Sequence, residues 1–397
     1  EEYLGLSKKR AKEALTRLNW PESGSFHSSK SFYEMFPNIT RPFPLQSKAM
    51  EVLPEFEGQG MVVIEAPMGE GKTESALFLM ENWNDRTGNS GSYLALPTMA
   101  TANQMFQRLH RFFIDLSPEE TRNLVLLHGH AVLSNVHQSL DVTRTLGDSE
   151  DPVALSEWFT YKKRGLLSPF GVGTIDQTFL AVMPTKHFFV RLFGLAGKTV
   201  VFDEVHAYDV YMSEILEREL AWLSALGTNV ILLSATLPKE RLDRLLRAYG
   251  QGSIVGERGT YPRMTILAQG QTKVHQFQSA ADAGMRRSMD LSIDWLPDDL
   301  EIIARRALDE VKGGGNLAII CNTVAYAQSI YLKLMSMNSG GEVELSLFHA
   351  RFPFDERSRR ERHTLLAFGK GERSPDVKRI MVATQVVEQS LDLDFDI

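Results

Sequence analysis

The chain has 397 residues, of which 43% are hydrophobic and 23% are charged, and its formal net charge is −7. No apolar run reaches the roughly 18 residues that cross a bilayer, and no signal-peptide pattern opens the chain, which argues against a membrane or secreted protein. The negative charge also argues against a histone-like or repressor-like nucleic-acid binder. The single cysteine, Cys321, excludes an internal disulfide and favours a reducing cytoplasm.

Lys8–Trp20 has an amphipathic helical pattern, to which we assign a packing role. Short apolar runs that alternate with helix-like stretches follow it along the chain. This alternation is typical of a parallel sheet covered on both faces. The pattern occurs twice, so the sequence predicts an α/β protein with two tandem parallel-sheet domains. The first series of strands is Met61–Glu65, Tyr93–Leu96, Asn123–Leu127, Thr199–Phe202 and Val230–Leu233, and the second is Leu317–Cys321, Val343–Phe348 and Arg379–Ala383.

Domain boundaries follow from these two series. We predict an accessory helical segment at 1–40, a first domain at 41–270, a connecting segment at 271–299 and a second domain at 300–397. The chain starts at Glu1 without a methionine and stops at Ile397 just after an acidic, strand-like run. The sequence therefore predicts a fragment whose second domain is incomplete at its C-terminus.

A phosphate-binding loop follows the first predicted strand. Its glycines let backbone amides approach phosphate oxygens, and the N-terminus of the next helix adds partial positive charge. We expect Lys72 to reach the β- and γ-phosphates of ATP, and the Thr73 hydroxyl to bind Mg²⁺. We assign Glu74, at the start of the helix, to the same nucleotide site. The loop reads Ala66-Pro67-Met68-Gly69-Glu70-Gly71-Lys72-Thr73.

Gln46 precedes this loop in the run Arg41–Gln46. Its amide could hydrogen-bond the edge of an adenine. The alternative is that the run is an ordinary turn into a helix.

Two adjacent acids end the apolar strand Val200–Phe202, in the sequence Asp203-Glu204-Val205-His206. Acids at the tip of a parallel strand lie where ligands bind open α/β sheets. Asp203 is placed to hold Mg²⁺, and Glu204 to orient and deprotonate the water that attacks the γ-phosphate. His206 is a candidate relay to the second domain. A purely structural role is disfavoured, because burying two acids without partners is costly.

Hydroxyl and amide side chains follow several other predicted strands. Ser234 and Thr236 flank Ala235, and we expect their hydroxyls to switch hydrogen bonds between the Asp203–Glu204 tip and the neighbouring domain. Similar groups elsewhere can hold the phosphate backbone of a nucleic acid without reading its bases. For the candidates of the second domain, the alternative role is helix N-capping, which is compatible with the first. These candidates are Thr98, Gly173 and Thr174 in the first domain, and Asn322, Thr323 and Thr384 in the second.

His349 is a further nucleic-acid candidate, because Phe348–Phe352 precedes an arginine-rich segment. Glutamates interleave with these arginines, so a solvated helix face is an equally good interpretation. The pair His128 and His130 suggests a metal site, but its spacing and the missing acid cluster argue against one.

Five segments resemble the superfamily-two DExH helicase of type I CRISPR systems, the CRISPR-associated helicase-nuclease. The resemblance implies two RecA-like domains of the P-loop NTPase class, ATP and Mg²⁺ as cofactors, and 3′→5′ movement on single-stranded DNA to destroy invading DNA. It also implies that the crRNA-guided surveillance complex (Cascade) is a partner; we further expect a monomer. The segments are EAPMGEGKTESAL (Glu65–Leu77), DEVHAYD (Asp203–Asp209), SATLP (Ser234–Pro238), FHARF (Phe348–Phe352) and VATQVVEQSLDLDFD (Val382–Asp396).

Within that resemblance, Glu388 and Asp392 help to join the nucleotide state to the grip on DNA, and Asp392 is assigned to the nucleotide site. Two family features are not found in the sequence. None of the ten histidines is followed by aspartate, so no HD-type nuclease is identified, and no arginine-rich motif follows Asp396. An arginine finger contributes roughly 10³–10⁵ in rate, so we expect the fragment to bind ATP but to hydrolyse it poorly.

Three other functions are compatible with parts of the pattern. Another superfamily-two motor, such as an RNA helicase, would show ATPase activity stimulated by RNA and not DNA. An ATP-gated binding module would keep its cellular function after Lys72→Ala. A plain P-loop kinase would leave the motifs of the second domain unexplained.

Overall fold

The computed structural model describes residues 2–17, 30–89, 91–116, 122–128, 153–154, 164–250, 259–285, 292–369, 377–387 and 393–397. The chain divides into two compact units, Glu1–Ser288 and Met289–Ile397. None of the described helices has the length and apolar character needed to cross a membrane.

The first unit is built on one large sheet with strand order β4-β3-β5-β2-β6-β7-β1-β8-β9 among the described residues. The strands from β4 to β1 in this order are parallel, and β8 and β9 are added antiparallel at one edge. The strands are β1 (Gly60–Glu65), β2 (Ser92–Leu96), β3 (Arg122–Leu127), β4 (Val153–Ala154), β5 (Phe170–Thr174), β6 (Thr199–Phe202), β7 (Asn229–Ser234), β8 (Arg263–Ala268) and β9 (Gln271–Gln276).

Helices cover both faces of this sheet, and its central strands are therefore buried on both sides. In β1, Val62 and Ile64 belong to one hydrophobic core, whereas Met61 and Val63 belong to the core on the opposite face. This is the alternation that a pleated strand imposes. The helices of this unit are α1 (Glu2–Arg17), α2 (Phe32–Met35), α3 (Pro44–Val52), α4 (Lys72–Thr87), α5 (Met99–Leu116), α6 (Ile175–Phe179), α7 (Phe188–Leu195), α8 (Val210–Ala225) and α9 (Lys239–Gly250).

Local signals set the ends of several helices. Proline stands at the first position of α3, where its missing N–H is not needed. Gly71 and Gly88 bracket α4 in the left-handed conformation. The Asp209 carboxylate caps α8 by accepting a hydrogen bond from the Met212 N–H at 2.7 Å.

The second unit is smaller and has a parallel sheet with the order β10-β12-β11. Cys321 pairs with Thr384 and Phe348 with Ala383, so the three strands end at the same level of the sheet. Its strands are β10 (Gly315–Cys321), β11 (Glu344–Phe348) and β12 (Lys378–Thr384), and its helices are α10 (Leu300–Glu310), α11 (Val324–Met337) and α12 (Phe354–Phe368).

The structure confirms the strands predicted from sequence to within two residues at either end, but it moves two boundaries. Strand β9, at 271–276, falls in the predicted connecting segment and instead completes the first sheet. Phe32 of the predicted accessory segment 1–40 is buried in the first core. The described side chains of α1, Tyr3 to Arg17, are all exposed, so the packing role predicted there is not observed.

Candidate nucleotide site and strand-end motifs

Three neighbouring strands bring the predicted motifs to one edge of the first sheet. β7 lies between β6 and β1, and all three run parallel. Glu65, the last residue of β1, is level with Ser234, the last residue of β7. Because the carboxyl ends of parallel strands share an edge, the phosphate-binding loop, the Asp203–Glu204 tip and the Ser234–Thr236 segment lie together.

The loop after β1 closes around the lysine amine. Gly69 and Gly71 both have φ of 76°, a conformation that favours glycine. The Lys72 Nζ donates hydrogen bonds to the carbonyl oxygens of Ala66 at 2.7 Å and Pro67 at 3.2 Å. Its position at the start of α4 leaves the amine inside the loop, where a polyphosphate is expected.

Gln46 lies directly against this loop. Its side chain is 2% exposed, and its Oε1 accepts a hydrogen bond from the Phe43 N–H at 2.8 Å. A Cβ placed on Gly71 would come within 2.3 Å of the Gln46 Nε2. The run from Arg41 to Gln46 is thus a turn into a helix, which is one of its two interpretations. It also places the Gln46 amide against the phosphate-binding loop.

Asp203 and Thr73, the two predicted protein ligands of Mg²⁺, both border one small cavity whose other lining residues are apolar. The Asp203 backbone N–H donates to the Ala95 carbonyl oxygen at 3.0 Å, which extends the β6–β2 pairing by one residue. Its Oδ1 accepts from the Glu204 N–H at 2.8 Å. Burial raises the pKa of Asp203, and the Glu204 N–H and the Lys72 amine oppose that rise.

Glu204 has the features of a buried general base. Its backbone is in the left-handed region with φ of 51°, and its Oε2 is buried without a hydrogen-bond partner among the described residues. Burial, reinforced by the charge of Asp203, raises the pKa of Glu204 to about 7, while Lys72 lowers it. Burial lowers the pKa of Lys72, and Asp203, Glu204 and Glu70 oppose that change. The lysine and the acids therefore act on one another electrostatically.

His206 contacts the segment that follows β7. Its Nδ1 accepts a hydrogen bond from the Ala235 N–H at 3.1 Å. Burial lowers the pKa of His206, and the nearby Lys72 and Arg241 add to this effect. The Ser234 hydroxyl donates to the Thr236 carbonyl oxygen at 3.0 Å. The link between the two strand tips thus runs through a backbone amide, and the observed Ser234 hydroxyl bond is not the predicted one.

Arg241 of α9 is a residue that sequence reasoning missed. Its Nη2 donates to the carbonyl oxygens of Val205 at 2.8 Å and Tyr208 at 3.1 Å, and to the Ser213 Oγ at 2.8 Å. It thereby fixes the loop that follows Glu204. An arginine on an amphipathic helix carries no pattern that distinguishes it from a solvated one, so no sequence signal was present.

Three residues of the predicted nucleotide site have other surroundings. Glu70 is 2% exposed, and its carboxylate oxygens accept from the Ala280 N–H at 3.0 and 2.8 Å. The Glu74 Oε1 pairs with Arg108 at 2.5 Å. Met68 is 71% exposed. Glu70 therefore fastens the loop to another part of the chain.

The nucleic-acid candidates of the first unit have clear structural roles. Thr98 and Thr101 cap α5, with the Thr101 N–H donating to the Thr98 Oγ1 at 3.2 Å. Thr174 precedes α6 without a side-chain cap and is nearly buried. Gly173 lies within β5, and a Cβ there would come within 2.1 Å of the Leu127 carbonyl oxygen. Close approach of β3 and β5 is sufficient reason for this glycine, and contact of Gly173 with nucleic acid remains a prediction.

Asn322 and Thr323, in the second unit, lie at the end of β10 and are exposed. The Asn322 Oδ1 accepts from the Gln385 Nε2 at 3.2 Å, and the Thr323 Oγ1 caps α11 by accepting from the Tyr326 N–H at 3.2 Å. Thr384, at the neighbouring strand end, is buried. Glu388 and Asp392 lie outside the described residues.

His349 is buried, which differs from an open nucleic-acid contact. It is 3% exposed and its ring stacks on Phe352 with a centroid distance of 4.1 Å. The Arg360 guanidinium lies 4.2 Å from the centroid of the same Phe352 ring. Arg359 and Arg360 also pair with Glu356 at 2.6 and 2.7 Å, which favours the solvated helix face for this segment.

Among the described residues, no group of three or more histidine, cysteine, aspartate or glutamate residues is arranged to hold a metal. His128 contacts the Asn103 Oδ1 at 2.9 Å, and His130 lies outside those residues. The Thr73 hydroxyl and the Asp203 carboxylate still fit Mg²⁺, because this ion is commonly held by one or two protein oxygens together with phosphates and water.

Two family models match the chain. The model described as "DEAD/DEAH box helicase" covers residues 43–245, which is about half of the chain and contains all the motifs of the first sheet edge. The chain belongs to the DEAD/DEAH box helicase family. A second model, "CRISPR-associated nuclease/helicase Cas3, C-terminal", matches residues 313–397 of this helicase.

Similar proteins agree with both matches. The "CRISPR-associated endonuclease/helicase Cas3" of Thermus thermophilus is 37% identical over 440 residues, which cover 100% of this helicase chain and 47% of the relative. The crystal structure of T. fusca Cas3-ATP has a TM-score of 0.77 and 36% identity, covering 92% of this chain and 43% of that one. A chain of a "CRISPR RNA-guided surveillance complex, pre-nicking" has a TM-score of 0.64 and 33% identity, covering 89% of this chain and 39% of that one.

The chain spans less than half the length of each of these proteins. The comparisons confirm the RecA-like α/β fold and the resemblance to CRISPR-associated helicases that the sequence predicted.

Proposed function

We propose that this chain is the ATP-dependent motor of a Cas3-type helicase, which moves 3′→5′ along single-stranded DNA. One observation carries the proposal. The order β6-β7-β1 brings Lys72, Thr73 and the Asp203–Glu204 pair to one sheet edge, where the Lys72 amine and the two carboxylates interact electrostatically. This arrangement serves a nucleoside triphosphate with Mg²⁺.

Each group at this edge has a separate task in the proposed reaction. Lys72 neutralises phosphate charge, and the amides of the loop and the α4 N-terminus hold phosphate oxygens. Asp203 and Thr73 would hold Mg²⁺, which would supply electrostatic stabilisation of the transferring phosphoryl group. Glu204 orients the attacking water and accepts its proton, a role suited to a base with a pKa of about 7.

Support for a CRISPR role comes from the similar proteins. One structural neighbour is a Cas3 protein with ATP, and another is part of an RNA-guided surveillance complex. We propose ATP as the nucleotide, single-stranded DNA as the track, and the surveillance complex as the partner. Exposed polar groups at strand ends, including Asn322 and Thr323, are the proposed contacts to the DNA backbone.

The test is nucleotide turnover with and without nucleic acid, measured on the full-length protein because the fragment alone is expected to hydrolyse ATP poorly. We expect single-stranded DNA to stimulate ATP hydrolysis, and a strand-displacement assay to favour duplexes with a 3′ overhang over those with a 5′ overhang. Lys72→Ala should abolish both activities. Stimulation by RNA alone, or identical turnover in wild type and Lys72→Ala, would overturn the proposal.

A further inference from the structure

Glu65, the last residue of β1, forms a buried ion pair that the proposed mechanism does not use. Its carboxylate is fully buried and is held by both sides of the Arg263 guanidinium, with Nε to Oε2 at 2.8 Å and Nη2 to Oε1 at 2.9 Å. Arg263 is the first residue of β8 and stands directly opposite Glu65 in the antiparallel pairing. A bidentate pair of this kind fixes both side chains geometrically.

The same carboxylate also reaches the segment after β7. The Leu237 N–H donates to the Glu65 Oε1 at 2.9 Å. One residue later along the chain, the Ala66 N–H donates to the Ser234 carbonyl oxygen at 3.2 Å. The beginning of the phosphate-binding loop and the Ser234–Leu237 segment are therefore tied at two points, one through backbone and one through a side chain.

A second contact fastens the loop to the chain that follows β8. The Ala280 N–H donates hydrogen bonds to both carboxylate oxygens of Glu70, which is a residue of the phosphate-binding loop. Both acids of the loop region thus point toward residues 263–280. Because a carboxylate buried without partners is costly, the bonds to Arg263 and Ala280 explain why acids are tolerated here.

We propose that Glu65, held by Arg263, is a positioning residue that keeps the Ser234–Leu237 segment in register with the phosphate-binding loop. A change in the loop on nucleotide binding or release is then passed to this segment through the Leu237 amide. The inference rests on the proposed ATP-driven function and adds a role for two residues outside the nucleotide-contacting set. Because neither residue belongs to the phosphate-binding loop, the effect appears in turnover and not in nucleotide affinity.

Two variants separate this role from simple stabilisation. Replacing both partners with methionine keeps the buried volume and removes both charges, a change that is often neutral for stability. It also removes the oxygen that accepts from Leu237. Glu65→Gln keeps an acceptor for that amide but leaves Arg263 as an unpaired buried charge, which is strongly destabilising.

The expected pattern is therefore opposite for stability and for activity. The protein with both Glu65→Met and Arg263→Met should melt near the wild-type temperature. Its DNA-stimulated turnover should nevertheless fall about tenfold or more, while its Kd for ADP stays within about threefold of the wild-type value. Glu65→Gln should melt at a lower temperature, yet turn over within about threefold of wild type when assayed well below its Tm. A purely structural pair would give activity that follows stability.

Lys198→Met is the matched control, because Lys198 is also a buried basic side chain and donates to the carbonyl oxygens of Leu166 and Ser168 at 2.8 and 2.5 Å. It should lower the Tm and leave turnover of the folded protein unchanged. Two results would overturn the positioning role, provided that Lys72→Ala still abolishes hydrolysis. One is wild-type turnover in the double methionine variant, and the other is a loss of turnover in Glu65→Gln equal to that of the double variant. Turnover insensitive to Lys72→Ala would instead overturn the proposed function and this inference with it.

Discussion

The backbone N–H of Ala235 donates a hydrogen bond to the Nδ1 of His206 at 3.1 Å. It joins the tips of β6 and β7, which carry the acids of the nucleotide site and the Ser234–Thr236 segment. Because an N–H donates to Nδ1, that nitrogen carries no proton, and the imidazole is held neutral with its proton on Nε2. Only proline would remove the backbone donor, and it would also restrict the backbone at that position. The histidine is therefore the place to test the link.

We expect His206→Ala to reduce DNA-stimulated ATP turnover about tenfold while ATP affinity stays within about threefold, because the lost bond connects elements and does not hold phosphate. His206→Asn should recover part of the activity, since its Oδ1 can take the place of Nδ1 as acceptor. Steady-state ATPase and nucleotide-binding titrations measure both effects. Equal loss in the alanine and asparagine variants would contradict the role of this bond.

Gly71→Ala should weaken nucleotide binding at least tenfold. The new Cβ would meet the Gln46 amide at 2.3 Å, and the left-handed backbone adds roughly 1–2 kcal/mol of strain. Gly88→Ala is the matched control at the other end of α4, with φ of 68° and nothing within 4 Å of the Cβ. Thermal melting should show a stability loss in both variants, larger at Gly71 because of the clash, and calorimetric titration with ADP should show an affinity loss only at Gly71.

Replacement of Glu204 by glutamine should lower turnover by about 10²–10⁴-fold, the range for loss of a general base. Glutamine keeps the shape but cannot accept the proton of water, so ATP should still bind with near wild-type affinity. Lys72→Ala provides the contrast, because it should lose affinity and turnover together. If Glu204→Gln hydrolysed ATP at the wild-type rate, the base would have to be another group.

Glu219 of α8 gives the first unit a pH-dependent stability. It is fully buried, burial raises its pKa from 4.5 to about 8, and the bond from the Thr178 hydroxyl only partly offsets this. The folded state thus keeps a proton that the unfolded state releases. This contribution to the free energy of unfolding is full below about pH 4.5 and falls as the pH rises toward about 8, by at most about 1.4 kcal/mol per unit.

Glu219→Gln should remove this slope. The difference in unfolding free energy between variant and wild type should grow in favour of the variant as the pH rises from 5 to 8, a range taken from the two pKa values above. Denaturant titrations across that range measure it. The exposed Glu214 on the same helix, changed to glutamine, is the control and should give no such trend.

The sequence predicts the residues of the candidate nucleotide site from local signals. One loop contains glycines, a lysine and a hydroxyl, and two acids follow an apolar strand. Each group indicates its chemical role without knowledge of where it lies in the fold. The order β6-β7-β1, which brings them together, follows from the crossover rules of parallel sheets and is predictable only in outline. Arg241 and Glu65 carry no sequence signal for their roles, because their partners are distant in sequence and each residue type is ordinary in its own surroundings.

The β8–β9 hairpin escapes prediction for a different reason. Gln269 and Gly270 form a two-residue connection with φ of 50° and 74°, the positive values of a type I′ turn. Glutamine is uncommon there, and β9 has one apolar residue, Val274, and so no apolar face of its own. The one available signal was the glycine between two β-prone runs. A hairpin that packs on the edge of an existing sheet needs little hydrophobic patterning to form.

The outer strand β9 determines how this end of the sheet meets other molecules. Lys273 and His275 project from it and pair with Glu55 at 3.1 and 3.2 Å. A strand of another polypeptide that extended the sheet here would have to strip water from the Lys273–Glu55 ion pair, which penalises edge-to-edge aggregation. The charge carried by β9 thus disfavours the pairing of this sheet edge with a strand from another molecule.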